Sequence, residues 1–116
     1  YFTATDVEHG MELWSSDGTA EGTEMILDIN PGDSSSNPSY LLEFGGYLVF
    51  AAGNQVDGYE IWKSDGTTEG TELLYDVMEG SGSSGATDLF EINGNHILFS
   101  AYTESASYEP WLITLE

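Results

Sequence analysis

Glu12-Leu13-Trp14-Ser15-Ser16-Asp17-Gly18-Thr19 returns as Glu60-Ile61-Trp62-Lys63-Ser64-Asp65-Gly66-Thr67, and an eroded third copy stands at Glu109-Pro110-Trp111-Leu112. The three tryptophans are 48 and 49 residues apart. A period of that size marks stacked supersecondary units, none of which can bury its apolar face alone. The spacing divides the 116-residue chain into a repeat at about 1–47, a second at about 48–96 and a partial third at about 97–116, read as one all-β module spanning 1–116.

Each repeat holds four short apolar segments. The first is Tyr1 to Ala4, matched by Leu48 to Ala52 and Ile97 to Ala101; Phe2, Phe50 and Phe99 each lie twelve residues before a tryptophan. The second carries the tryptophan, with Tyr59 and Ile61 on one face and Glu60 and Trp62 on the other. The third alternates, which places Met25, Leu27 and Ile29 on one face, and Leu73, Tyr75 and Val77 likewise. The fourth pairs Leu42 and Phe44 with Phe90 and Ile92. These periods are all near two, and no window carries a helical stripe. Asp17-Gly18 and Asp65-Gly66 supply hairpin turns after the second segment, since glycine reaches the positive φ that a tight turn needs. Gly45-Gly46 and Asn93-Gly94-Asn95 join one unit to the next, and the extra residue of the 49-residue interval falls there.

Four strands returning in phase predict β-propeller-type repeats of four antiparallel strands, about two and a half blades, within a larger ring or assembly. A β-sandwich of two duplicated units and a β-solenoid are the alternatives, the solenoid weakened by its usually shorter coils. The last copy has Pro110 before its tryptophan, then Leu112-Ile113-Thr114-Leu115 with no hairpin signature, and so reads as the end of an array. Counting four, four and two strands leaves outer strands missing before Tyr1. The opening on strand residues, without signal peptide or initiating methionine, reads as a mature, excised or partial polypeptide. An unpaired edge of this kind is a site for strand addition.

Composition bounds the function. Twenty-one acidic residues against the single Lys63 give a formal net charge of −20. Such a surface repels nucleic acid and anionic membranes. The longest apolar run, Tyr47 to Ala52, is too short to cross a bilayer. Hydrophobic residues at 40% suffice for a packed core despite the charge. With no cysteine, neither disulfides nor a zinc–cysteine site holds the fold.

The repeats Glu12 to Thr19 and Glu60 to Thr67, with Gly22-Thr23, Gly70-Thr71, Asp28, Pro31-Gly32 and the Gly46 to Ala52 pattern, resemble the bacterial repeat family named for its E-L-W-x-x-D-G-T motif. The resemblance covers nearly the whole chain. It implies a secreted or cell-surface repeat protein of propeller-like build and brings no catalytic residue with it.

No reaction is specified. Glu12, Glu60 and Glu109 recur with the repeat and so occupy equivalent places around an axis, not one pocket. His9 and His96 are not equivalent, and no Ser/His/Asp arrangement assembles. Calcium is the one cofactor expected: Asp28, Asn30 and Asp33 put three oxygen-bearing side chains on one turn, with Asp76 the counterpart of Asp28 in the second repeat. The plainer expectation for Asp28 and Asp76 is capping of loop amides. Trp14, Trp62 and Trp111 are expected in the core between units, with a second reading as stacking platforms for glycans. The expected function is a non-enzymatic extracellular structural or adhesive module. It would assemble through open sheet edges with further copies of itself or with an upstream part of the same polypeptide. The alternative is a lectin-like propeller that binds glycans, with calcium in support.

Overall fold

The computed structural model describes residues 1–104 and 106–114, together with every side chain among them except that of Ala106. Ten strands and no helix are found in this region: β1 (Phe2–Asp6), β2 (Gly10–Ser16), β3 (Thr23–Leu27), β4 (Ser39–Phe44), β5 (Tyr47–Asn54), β6 (Gly58–Ser64), β7 (Glu72–Tyr75), β8 (Thr87–Ile92), β9 (His96–Thr103) and β10 (Ala106–Thr114). Leu115, the end of the last strand expected from the sequence, and Glu116 lie outside the described residues.

The strands form three antiparallel sheets: β1-β2-β3, β4-β5-β6-β7 and β8-β9-β10. Their grouping differs from a sheet per sequence repeat. The fourth strand of one repeat turns back through Gly45-Gly46, both at positive φ, and pairs with the first strand of the next. Two glycines at positive φ are the turn that a two-residue hairpin favours, and the pairing places the repeat boundary inside a sheet. Four, four and two strands by sequence are therefore three, four and three by hydrogen bonding.

Bulges alter the predicted faces. Leu13 pairs with Leu27 but its neighbour Trp14 pairs with Met25, so Ile26 is an extra residue; Leu74 is the extra residue between the pairs Ile61–Tyr75 and Trp62–Leu73. Each bulge reverses the alternation. Met25 therefore shares the tryptophan's face, while Ile26 and Ile29 are buried on the other side, and the single-face assignment of Met25, Leu27 and Ile29 is corrected. A second pair of bulges sits at Tyr40 and Asp88, both left-handed at φ 57° and 58°.

The central sheet is covered on both sides. Leu13, Ile26 and Ile29 of the first sheet meet Leu48, Phe50, Ala52 and Trp62 of the second. On its other face, Val49, Ala51 and Ile61 meet Ile97, Phe99 and Ala101 of the third, with Trp111 packed alongside. Both junctions use one rule: the aliphatic face of one sheet receives the tryptophan face of the next.

Candidate functional site

The most elaborate polar arrangement lies at these junctions. Glu12 and Glu60 are fully buried. Glu12 accepts backbone N–H bonds from Ile29 (3.1 Å) and Ser36 (3.0 Å), and a short bond from the Ser36 hydroxyl. Glu60 accepts the equivalent bonds from Val77 (3.0 Å) and Ser84 (2.8 Å). The serine carbonyls then reach forward. Gly53 N–H donates to Ser36 O at 2.9 Å, and Tyr102 N–H donates to Ser84 O at 2.8 Å. Ser36 and Ser84 therefore bridge neighbouring sheets, held by a carboxylate behind and a strand amide ahead. The loop passes so close to the strand that Gly10 and Gly58 have no room for a side chain. A Cβ on Gly58 would lie 1.9 Å from the Gly82 carbonyl oxygen. These carboxylates do structural work, because both oxygens are taken up by loop amides and neither faces a cleft.

Burial raises both glutamates above the ordinary value of 4.5, against the opposing pull of their hydrogen bonds. Their folded form thus prefers the proton, and the folded chain gains stability as pH falls through their raised pKa values towards 4.5. His9, held above 6.5 chiefly by its side-chain bond to Asp6, acts in the same direction: its contribution is full below 6.5 and is lost as pH rises through its folded pKa. Asp17 and Asp65 oppose them at the acid end. Hydrogen bonds from Thr19 and Thr67 lower them below 3.8, so their contribution is present above 3.8 and is lost as pH falls further. Release of the −20 self-repulsion adds to the acid stabilisation. The melting temperature is expected to peak at about pH 4–5 and fall towards pH 8. Calorimetry across that range checks it, and Glu60→Gln should flatten the slope.

The recurring Asp-Gly-Thr turn has a local explanation. Asp65 Oδ1 accepts from Thr67 N–H (2.9 Å) and its hydroxyl (2.7 Å), the Thr67 hydroxyl accepts from Gly70 N–H (2.9 Å), and the Ser64 and Thr71 hydroxyls meet at 2.7 Å. Asp17, Thr19, Gly22, Ser16 and Thr23 repeat the pattern. Glycine follows because a Cβ at Gly22 or Gly70 would collide with the aspartate.

The residues expected to bind calcium separate into two loops. Asp28 Oδ2 accepts from Gly32 N–H at 3.1 Å, which is the capping geometry, and Asn30 donates to Ser35 O at 3.1 Å. Asp33 is exposed on the same loop. Asp76 occupies the corresponding loop after β7, raised by burial and by the nearby carboxylates of Asp57 and Glu79. Asp28 Oδ1, Asn30 Oδ1 and Asp76 Oδ1 are buried without a hydrogen-bond partner. No group of three or more His, Asp or Glu converges on one point among the described residues.

Trp62 is 7% exposed and covered by the first sheet, whereas Trp14 and Trp111 are half-buried. Trp111 lies 6.1 Å from the Tyr75 ring across the second junction. Two equivalent clefts of about 410 Å³ open at one end of the junctions. One is lined by Ile29, Asn30, Pro31 and the Asn54–Asp57 turn, the other by Val77, Met78, Glu79, Thr103 and Glu104. No tryptophan lines either.

The end sheets remain open. β1 has no partner where β5 has β4, and β10 has none where β6 has β7, among the described residues. Their outer faces carry large apolar groups, among them Phe2, Phe90, Tyr102, Tyr108 and Leu112. The sequence reading expected one incomplete unit at the C-terminal end, not two end sheets each a strand short, and it missed both the outer faces and the glutamate–serine bridges. A signal for the bridges was present: Glu and Ser stand 24 residues apart in both repeats. Among the described residues, no helix is long and apolar enough to cross a membrane. No family model, curated protein or solved structure matches the chain.

Proposed function

We propose that the chain is a non-enzymatic structural or adhesive module of the secreted or cell-surface kind, its sheets stacked as propeller blades and completed by further protein. The observation that carries this reading is that both end sheets are one strand short of the central one. An edge strand with free amides and carbonyls is a template for pairing, and nothing in β1 blunts it with proline or lysine. The buried glutamates are consumed by the fold, both oxygens of each being taken up by loop groups, which accords with a scaffold. The resemblance of the repeat to E-L-W-x-x-D-G-T proteins points the same way. Sedimentation velocity over a wide concentration range tests it. Association beyond the 12.6 kDa chain is expected, and a stably folded monomer at every concentration would sink the proposal.

A second reading, glycan binding, draws support from the recurrence of an equivalent cleft at both junctions. Asn30, Gln55 and Asp57 would offer hydrogen bonds there. A glycan array with and without calcium is the direct test; absence of any bound sugar in both conditions rules it out.

A further inference from the structure

Each sheet has two unlike faces, and the two junctions show how they pair. The tryptophan face of the central sheet (Phe50, Ala52, Trp62, Leu73) is buried against the aliphatic face of the first. Its own aliphatic face (Leu42, Val49, Tyr59, Ile61) is buried against the tryptophan face of the third. One face of each kind is left over. The first sheet presents Phe2, Ala4, Trp14 and Met25 outward, which are the repeat equivalents of Phe50, Ala52, Trp62 and Leu73. Phe50 is 0% exposed and Phe2 is 37% exposed, so the same side chain is covered in one sheet and open in the other. The third sheet presents Phe90, Leu98, Tyr108 and Leu112, which correspond to Leu42, Val49, Tyr59 and Lys63. Phe90 and Leu112 are 60% and 56% exposed. The one cation of the chain is replaced by leucine on the face that would have to be dry. None of these eight residues is charged, in a chain with 21 carboxylates.

We infer that the outer face of β8-β9-β10 of one copy docks on the outer face of β1-β2-β3 of a second copy, head to tail, repeating the aliphatic-on-tryptophan junction found twice within the chain. This rests on the assembly reading above and specifies its partner and surface. The occupant is a second copy because the complement of each open face already exists on the same molecule, and both observed junctions use that complement. Apolar faces of this extent are seldom left bare on soluble chains. Because the two surfaces differ, the contact is heterologous; it propagates and ends only by closing into a ring or by running on as a stack. Dense like charge around an apolar contact makes association stronger as salt rises.

The test uses two blocked variants. Phe2→Glu spoils the tryptophan face and Leu112→Glu spoils the aliphatic face, with Met25→Glu and Phe90→Glu as replacements should either fail to fold by circular dichroism. Val7→Glu, in the exposed β1–β2 turn, controls for added charge. Sedimentation should show association for the wild type and Val7→Glu, and 12.6 kDa monomers for each blocked variant alone. An equal mixture of the two blocked variants should form a particle of two chains and grow no further, since each supplies one intact face. If the wild type associates but the mixture stays monomeric, or if a blocked variant alone associates as the wild type does, face docking is overturned and edge pairing stands. If the wild type is monomeric throughout, both readings fall.

Discussion

Glu60→Ala is expected to cost about 3–5 kcal/mol. Val77 would lose the acceptor of a part-buried amide and Ser84 that of a buried one, at ~1–3 kcal/mol apiece, and the truncated side chain leaves unfilled space where the fully buried Glu60 stood. Stabilities of single domains are about 5–15 kcal/mol, so this substitution threatens the fold itself. Glu60→Gln keeps one acceptor but turns an NH₂ towards the other amide, and should fall between alanine and wild type. Glu109→Ala is the internal control. Glu109 is the third copy of the same motif position but is exposed, so the change should be within about 0.5 kcal/mol. Urea denaturation followed by tryptophan fluorescence separates these outcomes, and equal effects at Glu60 and Glu109 would refute the bridging role.

The second large effect is expected at Gly58. Its φ of +72° costs any other residue about 1–2 kcal/mol. A Cβ there would also sit 1.9 Å from the Gly82 carbonyl oxygen, so the loop must shift, adding about 1–3 kcal/mol. Gly46→Ala isolates the first contribution. Gly46 has φ +83° but no atom within 4 Å of where a Cβ would stand. Gly58→Ala should therefore lose about twice as much stability as Gly46→Ala or more. It should also loosen the Ser84 bridge, read as faster amide exchange at Tyr102. Equal losses in the two variants would show that the close loop approach carries no energy.

Much of this architecture was legible in the chain. The repeat gave the positions of all ten strands, because turn chemistry and apolar segments return together at a fixed interval. Counting gave an incomplete third unit and outer strands expected before Tyr1; that each end sheet is one strand short of the central one emerged only from the pairing. The faces were not legible. Met25-Ile26-Leu27 is apolar throughout, so alternation could not reveal that Ile26 is an extra residue. The membership of the sheets was hidden for another reason: a repeat fixes period but not phase, and Gly45-Gly46 reads equally as linker or hairpin until pairing is seen. The glutamates were legible as recurrent, in equivalent places and not in one pocket. Their burial was not readable, because ionisable residues are rarely buried unless paired and the partners here are backbone amides 17 and 24 residues away. Of the calcium set, only the capping geometry of Asp28 was readable in advance from its turn.

The bridges at Ser36 and Ser84 bear on how the molecule comes apart. The central sheet is clasped from both sides, through Gly53 on one and Glu60 on the other, whereas each end sheet is clasped once. Opening should therefore proceed inward from the ends as a graded fraying, with β1 and β10 exchanging their amide protons first and β5 last. In such a chain protection is a property of position within the row. A neighbour seated on an end sheet would move the fraying boundary outward, and the last-exchanging strand would no longer be β5 alone.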